Sequence, residues 1–331
     1  MTKENSADSR RERLRALKAA IASVVVGQEE LIDTLIITLL ARGHLLLEGV
    51  PGVAKSLAAE TFAKCCGGTF NRFQFTPDKL PGDILGGLVF KARDESFTYR
   101  RGPIFCNFFL ADEINRASPK VQSALLQAMQ EGEVSSEEHN FPLPRPFMVM
   151  ATQNPIEQVG TYPLAEAQVD RFMVKFEVSY LDYREELELL RRKHTDFRRR
   201  VAALQPLLDP ETITACQEAA HNEITVTETV LKYILNLCLN SRPRPRGEAG
   251  YRPEIHDYLQ LGASPRAAES LLALAKARAF YAGRQELDFS DVEALLPLVL
   301  AHRLLLNHRA LAEEVSARQL VSRIIETTPA Y

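Results

Sequence analysis

The chain has 331 residues, 46% hydrophobic and 25% charged, with a net charge of −3. That length suits about two globular domains, and the charge balance gives no global electrostatic case for a nucleic-acid binder. The five cysteines lack CxxC spacing, which argues against a disulfide frame or a zinc site; no apolar run reaches the roughly 18 residues of a membrane span, and the polar N-terminal stretch predicts a cytoplasmic protein without a leader.

The first periodic segment is 10–24, where Leu14, Leu17, Ala20, Ile21 and Val24 recur at helical spacing. A polar turn at Val25–Glu30 separates it from a second helix, Leu31–Ala41, with Leu31, Leu35 and Leu39 on one face. Residues 44–57 then change character. Leu45, Leu46 and Leu47 read as a buried strand. Gly49, Pro51 and Gly52 break it, and a helix-forming run resumes at Lys55. Strand, glycine loop, lysine, hydroxyl and helix is the order of a phosphate-binding loop. Gly49, Val50, Pro51, Gly52, Val53, Ala54, Lys55 and Ser56 would form it. Its N–H groups and the helix N-terminus offer an anion site. Lys55 adds a charge for the β- and γ-phosphates and Ser56 a hydroxyl for Mg²⁺. One position departs from G-x-x-x-x-G-K-[ST]: Ala54 stands where the last glycine belongs, which requires a negative φ or tolerated strain. The plain alternative is a glycine turn before a helix that happens to hold a lysine; the preceding strand favours the nucleotide reading.

The helix ends near Cys66 at Gly67–Gly68. Phe70–Thr76 alternates like a strand. Residues 77–103 are punctuated by prolines and glycines, and two runs within them, Leu88–Lys91 and Ser96–Arg100, suit a small inserted hairpin. Ile104–Ala111 is a nearly continuous apolar strand, as in a buried parallel sheet. It ends in Asp112–Glu113, at the edge where open α/β sheets bind ligands. The first acid can hold Mg²⁺ and the second can orient and deprotonate a water. Paired acids after a strand are often only a solvated turn; the phosphate loop upstream favours the chemical role.

Ser118–Pro119 opens a helix as N-cap and first helical residue, with Val121, Leu125, Leu126 and Met129 inward and a stop at Gly132. Phe147–Thr152 is another buried strand and leads to Gln153–Asn154–Pro155. Asn154 could bridge an attacking water and the γ-phosphate or simply form the turn before proline, and spacing does not choose. A last strand lies within Val169–Val178, after Asp170–Arg171. Arg171 fits a cation for the transferring phosphoryl group, in cis or from a neighbouring subunit, but taken alone a surface ion pair is the plainer reading. Five strands alternating with helices predict an α/β half with a mostly parallel sheet.

Residues 181–201 read as a charged helix, and the periodic segments after about 210 read as helical. The Pro/Arg/Gly-rich stretch 241–256 reads as an extended or mobile loop. Ser264–Pro265 repeats the helix start of Ser118–Pro119. Arg266 in the first turn opposes the helix dipole and hints at an anion to meet. The expected organisation is a nucleotide-binding core over 1–180, a helical linker over 181–210 and a smaller all-helical domain over 211–331.

With these residues in hand, the chain resembles the MoxR family of AAA+ ATPases over about 20–325. The resemblance rests on GVPGVAKS (49–56), RGPIF (101–105), LADEINRASPKVQSALLQAMQEGEV (110–134), ATQNP (151–155), YPLAEAQVDRF (162–172), GASPRA (262–267) and LAHR (300–303). Family members tolerate alanine at the position of Ala54. The resemblance implies a P-loop αβα core with a five-stranded parallel sheet, a hairpin inserted in helix 2 at about 81–103, and an all-helical lid. It makes Gly49–Ser56 the Walker A loop and Asp112–Glu113 Walker B. It also makes Asn154 sensor 1, Arg266 sensor 2 and Arg171 the arginine finger, and places Val26–Gly27–Gln28 near the adenine. The implied activity is Mg²⁺-dependent ATP hydrolysis in a ring, a hexamer by family habit. The implied role is chaperone-like remodelling, maturation or metal insertion in a protein client, with a von Willebrand factor A domain protein as partner. Two rival functions are an ATPase motor stimulated by nucleic acid, through Lys91, Arg93, Arg100, Arg101 and 242–252, and a nucleotide-gated scaffold of low turnover. Net charge and the absence of a recognition motif speak against the first.

Overall fold

Leu45–Glu48 forms the predicted strand, its three leucines fully buried. In the computed structural model, which describes residues 7–50, 52–92, 95–136, 139–155, 160–195 and 197–330, this strand lies inside a five-stranded sheet. The spatial order is Phe70–Gln74, Phe108–Asp112, Met148–Gln153, Leu45–Glu48 and Val174–Glu177. The three pairings among the first four strands are parallel. Phe108–Asp112 is buried along its whole length, as a central parallel strand with both faces covered must be. Register brings the chemistry to one edge: Gln74 is opposite Asp112, and Glu48 is opposite Gln153.

Helices Ala7–Ala22, Glu29–Leu40, Lys55–Cys66 and Pro119–Glu131 supply the apolar stripes that accompany the sheet. Leu14, Leu17, Ile21, Leu31, Leu35 and Leu39 are buried at the helical spacing read from the sequence. Gly132 ends the last of these helices at φ +66°, a left-handed cap that glycine adopts without steric cost. Ser118 sits at the N-cap position, but its side chain makes no cap hydrogen bond. All five cysteines are free and buried. Loss of hydration pushes the thiol pKa values up, to about 11 for Cys65 and Cys238 and about 12 for Cys106.

The insert is a short helix, Pro81–Leu85, followed by an antiparallel hairpin of Gly86–Lys91 and Ser96–Arg101. Arg93 lies outside the described residues. Leu88, Val89, Phe90 and Phe97 are exposed on this hairpin, and Tyr99 at its base stacks on Phe141 with ring centres 4.3 Å apart. Phe141 belongs to a second hairpin, Glu133–Ser136 with His139–Pro142, which periodicity did not predict. The charged segment after 181 is two helices, Tyr183–Thr195 and Phe197–Ala203.

The chain divides into two compact units. One contains the described residues up to Leu164 together with Phe176–Cys216; the other contains Ala165–Lys175 and Gln217 onward. Helices Glu228–Asn240, Pro265–Ala282, Phe289–Leu300 and Ala317–Thr327 build the second unit. It is not wholly helical, because Leu259–Leu261 pairs antiparallel with Leu305–Leu306. The segment 241–256 also departs from a loose loop. Ile255 and His256 are buried in a short helix, Pro253–His256, and Arg244 donates to the Ala249 carbonyl at 2.8 Å. Arg246 pairs with Asp257 at 2.7 Å. Charge pairing and apolar burial order a stretch whose composition suggests disorder. Among the described residues no helix is long and apolar enough to cross a membrane.

Candidate functional site

The loop between Leu45–Glu48 and Lys55–Cys66 contains two left-handed residues. Gly52 has φ +90° and an open space where a Cβ would stand. Ala54 has φ +62° immediately before the helix. The chain therefore takes the strained alternative at Ala54, the conformation that is costly for a residue with a Cβ. Pro51 lies outside the described residues. Lys55 Nζ donates to the carbonyl oxygens of Gly49 and Gln153, the latter at 3.0 Å. It thereby spans the mouth of the loop and the neighbouring strand end.

Ser56 and Asp112 meet. Ser56 Oγ is 3.3 Å from each carboxylate oxygen of Asp112. Asp112 is buried and takes further donors: Thr152 Oγ1 at 2.5 Å, Arg72 Nη2 at 2.6 Å and Arg72 Nε at 3.1 Å. The other arm of Arg72 reaches Glu60 at 3.0 Å. A buried carboxylate needs such donors to offset its lost hydration.

Glu113 turns away from the strand at φ +57°. Its N–H donates to Thr152 Oγ1 at 2.9 Å, so one buried hydroxyl ties the two acids together. Its carboxylate accepts from Gln74 Nε2 at 2.6 Å and from Arg116 Nη1 at 3.3 Å. Strained backbone at such a position is a recurrent mark of functional sites. Asn154, buried at the end of the adjacent strand, accepts at its carbonyl from Asn115 Nδ2 at 3.1 Å. Gln28, also buried, donates to the Ser179 carbonyl at 3.4 Å. Beside it in the chain, Val24–Val26 line a cleft of about 290 Å³ with Val53, Ala54, Leu57, Tyr180, Leu181 and Leu189. Its apolar walls open onto the phosphate loop through Gly52 and Ala54.

Ser56 and Asp112 form an all-oxygen donor set, which suits a hard cation. Among the described residues no group of three or more His, Cys, Asp or Glu could hold a metal. A site with one carboxylate and one hydroxyl is the sparse kind that Mg²⁺ uses beside phosphates. The residues present therefore fit that ion.

In the second unit, Asp170 is a node. Arg303 Nε reaches Asp170 Oδ1 at 2.8 Å, Arg266 Nη1 lies 3.5 Å from Oδ2, and Ser264 Oγ donates to both oxygens at 3.2 and 3.1 Å. The Ser264 hydroxyl is thus engaged with Asp170, and no cap hydrogen bond is made at its helix. The acidic partner of Arg266 within this unit is Asp170, and Arg171 is the next residue along the chain. Burial lowers the Arg303 pKa, and Asp170 opposes that shift.

Sequence reasoning singled out Lys55, Ser56, Asp112 and Glu113, and the fold brings their elements to one sheet edge. It missed Arg72, Gln74, Thr152 and Arg303. The alternation of FNRFQFT placed Arg72 and Gln74 on one strand face, but only the register with Asp112 gives that face its meaning.

The profile of the ATPase family associated with various cellular activities (AAA) matches residues 44–174, and that of the AAA lid domain matches residues 252–324. Chaperone MoxR1 of Mycobacterium tuberculosis is 43% identical over 308 residues, 93% of this chain and 79% of that one. Protein MoxR of Methylorubrum extorquens is 33% identical over 94% of this chain and 93% of its own length. A crystal structure of a candidate ATPase from Cytophaga hutchinsonii superposes with a TM-score of 0.88 at 41% identity, covering 98% of this chain and 96% of that one.

Proposed function

Because the chain belongs to the MoxR family of AAA ATPases, we propose that it hydrolyses ATP in a ring of six identical subunits to remodel or mature a protein client. The convergence of Ser56 and Asp112 at 3.3 Å carries the reading, since it joins a phosphate loop to a carboxylate at one sheet edge. The N–H groups of Gly49, Val50, Gly52, Val53 and Ala54, with Pro51 between them, would cradle the phosphates, and Lys55 would add its charge. The cleft of Val24–Val26, Val53, Leu57 and Tyr180 is suited to an adenine ring, and Gln28, two residues on from Val26, would lie near it. When bound at Ser56 and Asp112, Mg²⁺ supplies positive charge to the phosphate oxygens.

Glu113 takes the proton of the attacking water as its oxygen bonds to the γ-phosphorus and the bond to the bridging oxygen breaks. Asn154 orients that water. Arg266 responds to nucleotide from the lid, and Arg171 of a neighbouring subunit stabilises charge on the transferring group. The exposed Leu88, Val89, Phe90 and Phe97 of the insert suit a protein client better than a polyanion. A separate protein with a von Willebrand factor A domain is the partner proposed, and metal insertion into the client is one form the maturation would take. We place this activity in the cytoplasm.

The test is phosphate release with Mg²⁺ and ATP by wild type and Glu113→Gln. The variant is expected to retain ATP binding and lose turnover by at least about 10²-fold; a near-normal rate removes Glu113 from the role of base. Stimulation by DNA or RNA that weakens steeply with salt would favour a nucleic-acid motor instead. Tight binding with negligible phosphate release by wild type would favour a scaffold. Capture with the Glu113→Gln protein in ATP would identify the client.

A further inference from the structure

Arg303 ends the LAHR stretch, and none of the roles above uses it. It sits in the turn Ala301–Arg303 that follows helix Phe289–Leu300, with its side chain 2% exposed. A guanidinium has five N–H donors in a fixed planar fork, and here all five are engaged. Nε donates to Asp170 Oδ1 at 2.8 Å. Nη2 donates to the carbonyl oxygens of Asp170 at 3.2 Å and Phe172 at 2.9 Å. Nη1 donates to the carbonyl oxygens of Met173 at 3.3 Å and of Val299. Four of these acceptors lie on residues 170–173 and bracket Arg171 in the chain. His302 Nε2 adds a contact to the Phe172 carbonyl at 3.4 Å.

The same segment is tied to Arg266. Asp170 accepts from Ser264, the residue before helix Pro265–Ala282, and pairs with Arg266 in its first turn. Residues 165–175 accordingly belong to the compact unit of the C-terminal helices although they lie far from them in sequence. Two arginines assigned to different nucleotides, Arg266 to its own subunit's and Arg171 to a neighbour's, are therefore mounted on one body. Asp170 and the Arg303 fork thus link Arg266 to the backbone on either side of Arg171.

We propose that Arg303 is a positioning residue that fixes the backbone on either side of Arg171 and couples it to Arg266. Through it, the nucleotide response of one subunit sets the placement of the arginine offered to the next. This rests on the reading of Arg171 as a residue supplied in trans, and the experiment separates the two. A misplacement of about 1 Å in such a group costs roughly 10²-fold in rate.

The probe is the full-length Arg303→Lys protein. Lysine keeps the charge beside Asp170 but cannot reproduce the fork to four backbone carbonyls. Its ATP turnover is expected to fall about 10²-fold, with ATP affinity within about twofold of wild type and the Hill coefficient for ATP reduced towards one. Subunit mixing gives the readout that a merely structural role would not move. Mixed with Glu113→Gln subunits, which bind ATP and retain Arg171 but do not turn ATP over, Arg303→Lys subunits should regain activity. Mixed with Arg171→Ala subunits, they should not, because neither supplies a well-placed arginine. The reverse pattern, rescue by Arg171→Ala and none by Glu113→Gln, would place the defect in the subunit's own site and overturn the proposal. So would wild-type turnover, or rescue by neither partner. The pair Arg171→Ala with Glu113→Gln is the control: if that pair gives no activity, the shared-site reading itself fails and takes this proposal with it. Should Arg303→Lys not fold, Asp170→Asn is put through the same mixtures with the same outcomes.

Discussion

The Gln74 side-chain amide donates to the Glu113 carboxylate at 2.6 Å. Gln74 ends one strand and Glu113 directly follows its neighbour, and the contact exists because Gln74 stands opposite Asp112 in the parallel register. It fixes where the carboxylate points, and a base acts only on a proton it can reach. Gln74→Leu is therefore expected to lower kcat about tenfold with little change in KM, measured by steady-state phosphate release. An unchanged kcat would show that Arg116 alone orients Glu113.

Thr152 carries more than its size suggests. Its hydroxyl donates to Asp112 at 2.5 Å and accepts from the Glu113 N–H at 2.9 Å, and the residue is 1% exposed. Thr152→Val keeps the shape and removes both bonds, leaving a buried carboxylate short of one donor and a backbone N–H without its acceptor. The expected loss is about 2–3 kcal/mol, read from urea unfolding, and Thr152→Ser should recover most of it.

Ala54 holds φ +62°. Glycine removes the Cβ clash of about 1–2 kcal/mol but adds unfolded-state entropy worth about 0.5–1 kcal/mol. Ala54→Gly should therefore stabilise by somewhat under 1 kcal/mol, a rise of about 1 °C in the melting temperature of a chain this long. A fall in that temperature would show that the methyl group packs usefully.

His44 sets an acid limit. Its Nδ1 accepts from the Val149 N–H at 3.0 Å, which leaves Nε2 to donate to the Met129 carbonyl at 3.1 Å. Protonation would set a second N–H against the Val149 donor. Removal from water, partly opposed by the Met129 hydrogen bond, brings its pKa down from 6.5 to about 4. The folded state thus favours the neutral ring. The stabilisation is complete above pH 6.5 and is lost as pH falls towards 4, with an upper bound of about 3 kcal/mol. The urea midpoint should drop across that window, and a flat profile would contradict this account.

The strand, loop and helix at 45–57 were legible because their signals are contiguous: an apolar run, two glycines, then a helix former. Asp112–Glu113 was legible for the same reason. What the sequence hid is what register creates. Arg72 and Gln74 are ordinary polar residues of an alternating strand until pairing places them beside Asp112 and Glu113. The hairpin at 133–142 was missed because each arm has only four residues. The ladder of Leu259–Leu261 with Leu305–Leu306 joins segments distant in the chain. Composition misled at 241–256, where ion pairs and the burial of Ile255 order a stretch rich in proline and arginine. Ser118 and Ser264 hold N-cap positions, yet neither hydroxyl makes the cap bond that residue type suggests.

The five buried thiols have a practical consequence for anyone who wishes to watch this protein move. A maleimide reacts with thiolate, and groups with pKa values of about 11 and 12, as at Cys65, Cys238 and Cys106, present less than roughly one thiolate in a thousand near neutral pH even before access is considered. Cys66 is shifted up as well, and Cys216 is buried. The natural chain is accordingly close to a silent background for dye labelling. A single cysteine introduced on the exposed hairpin or on the lid surface would take the fluorophore almost alone, without first stripping the native ones from the core.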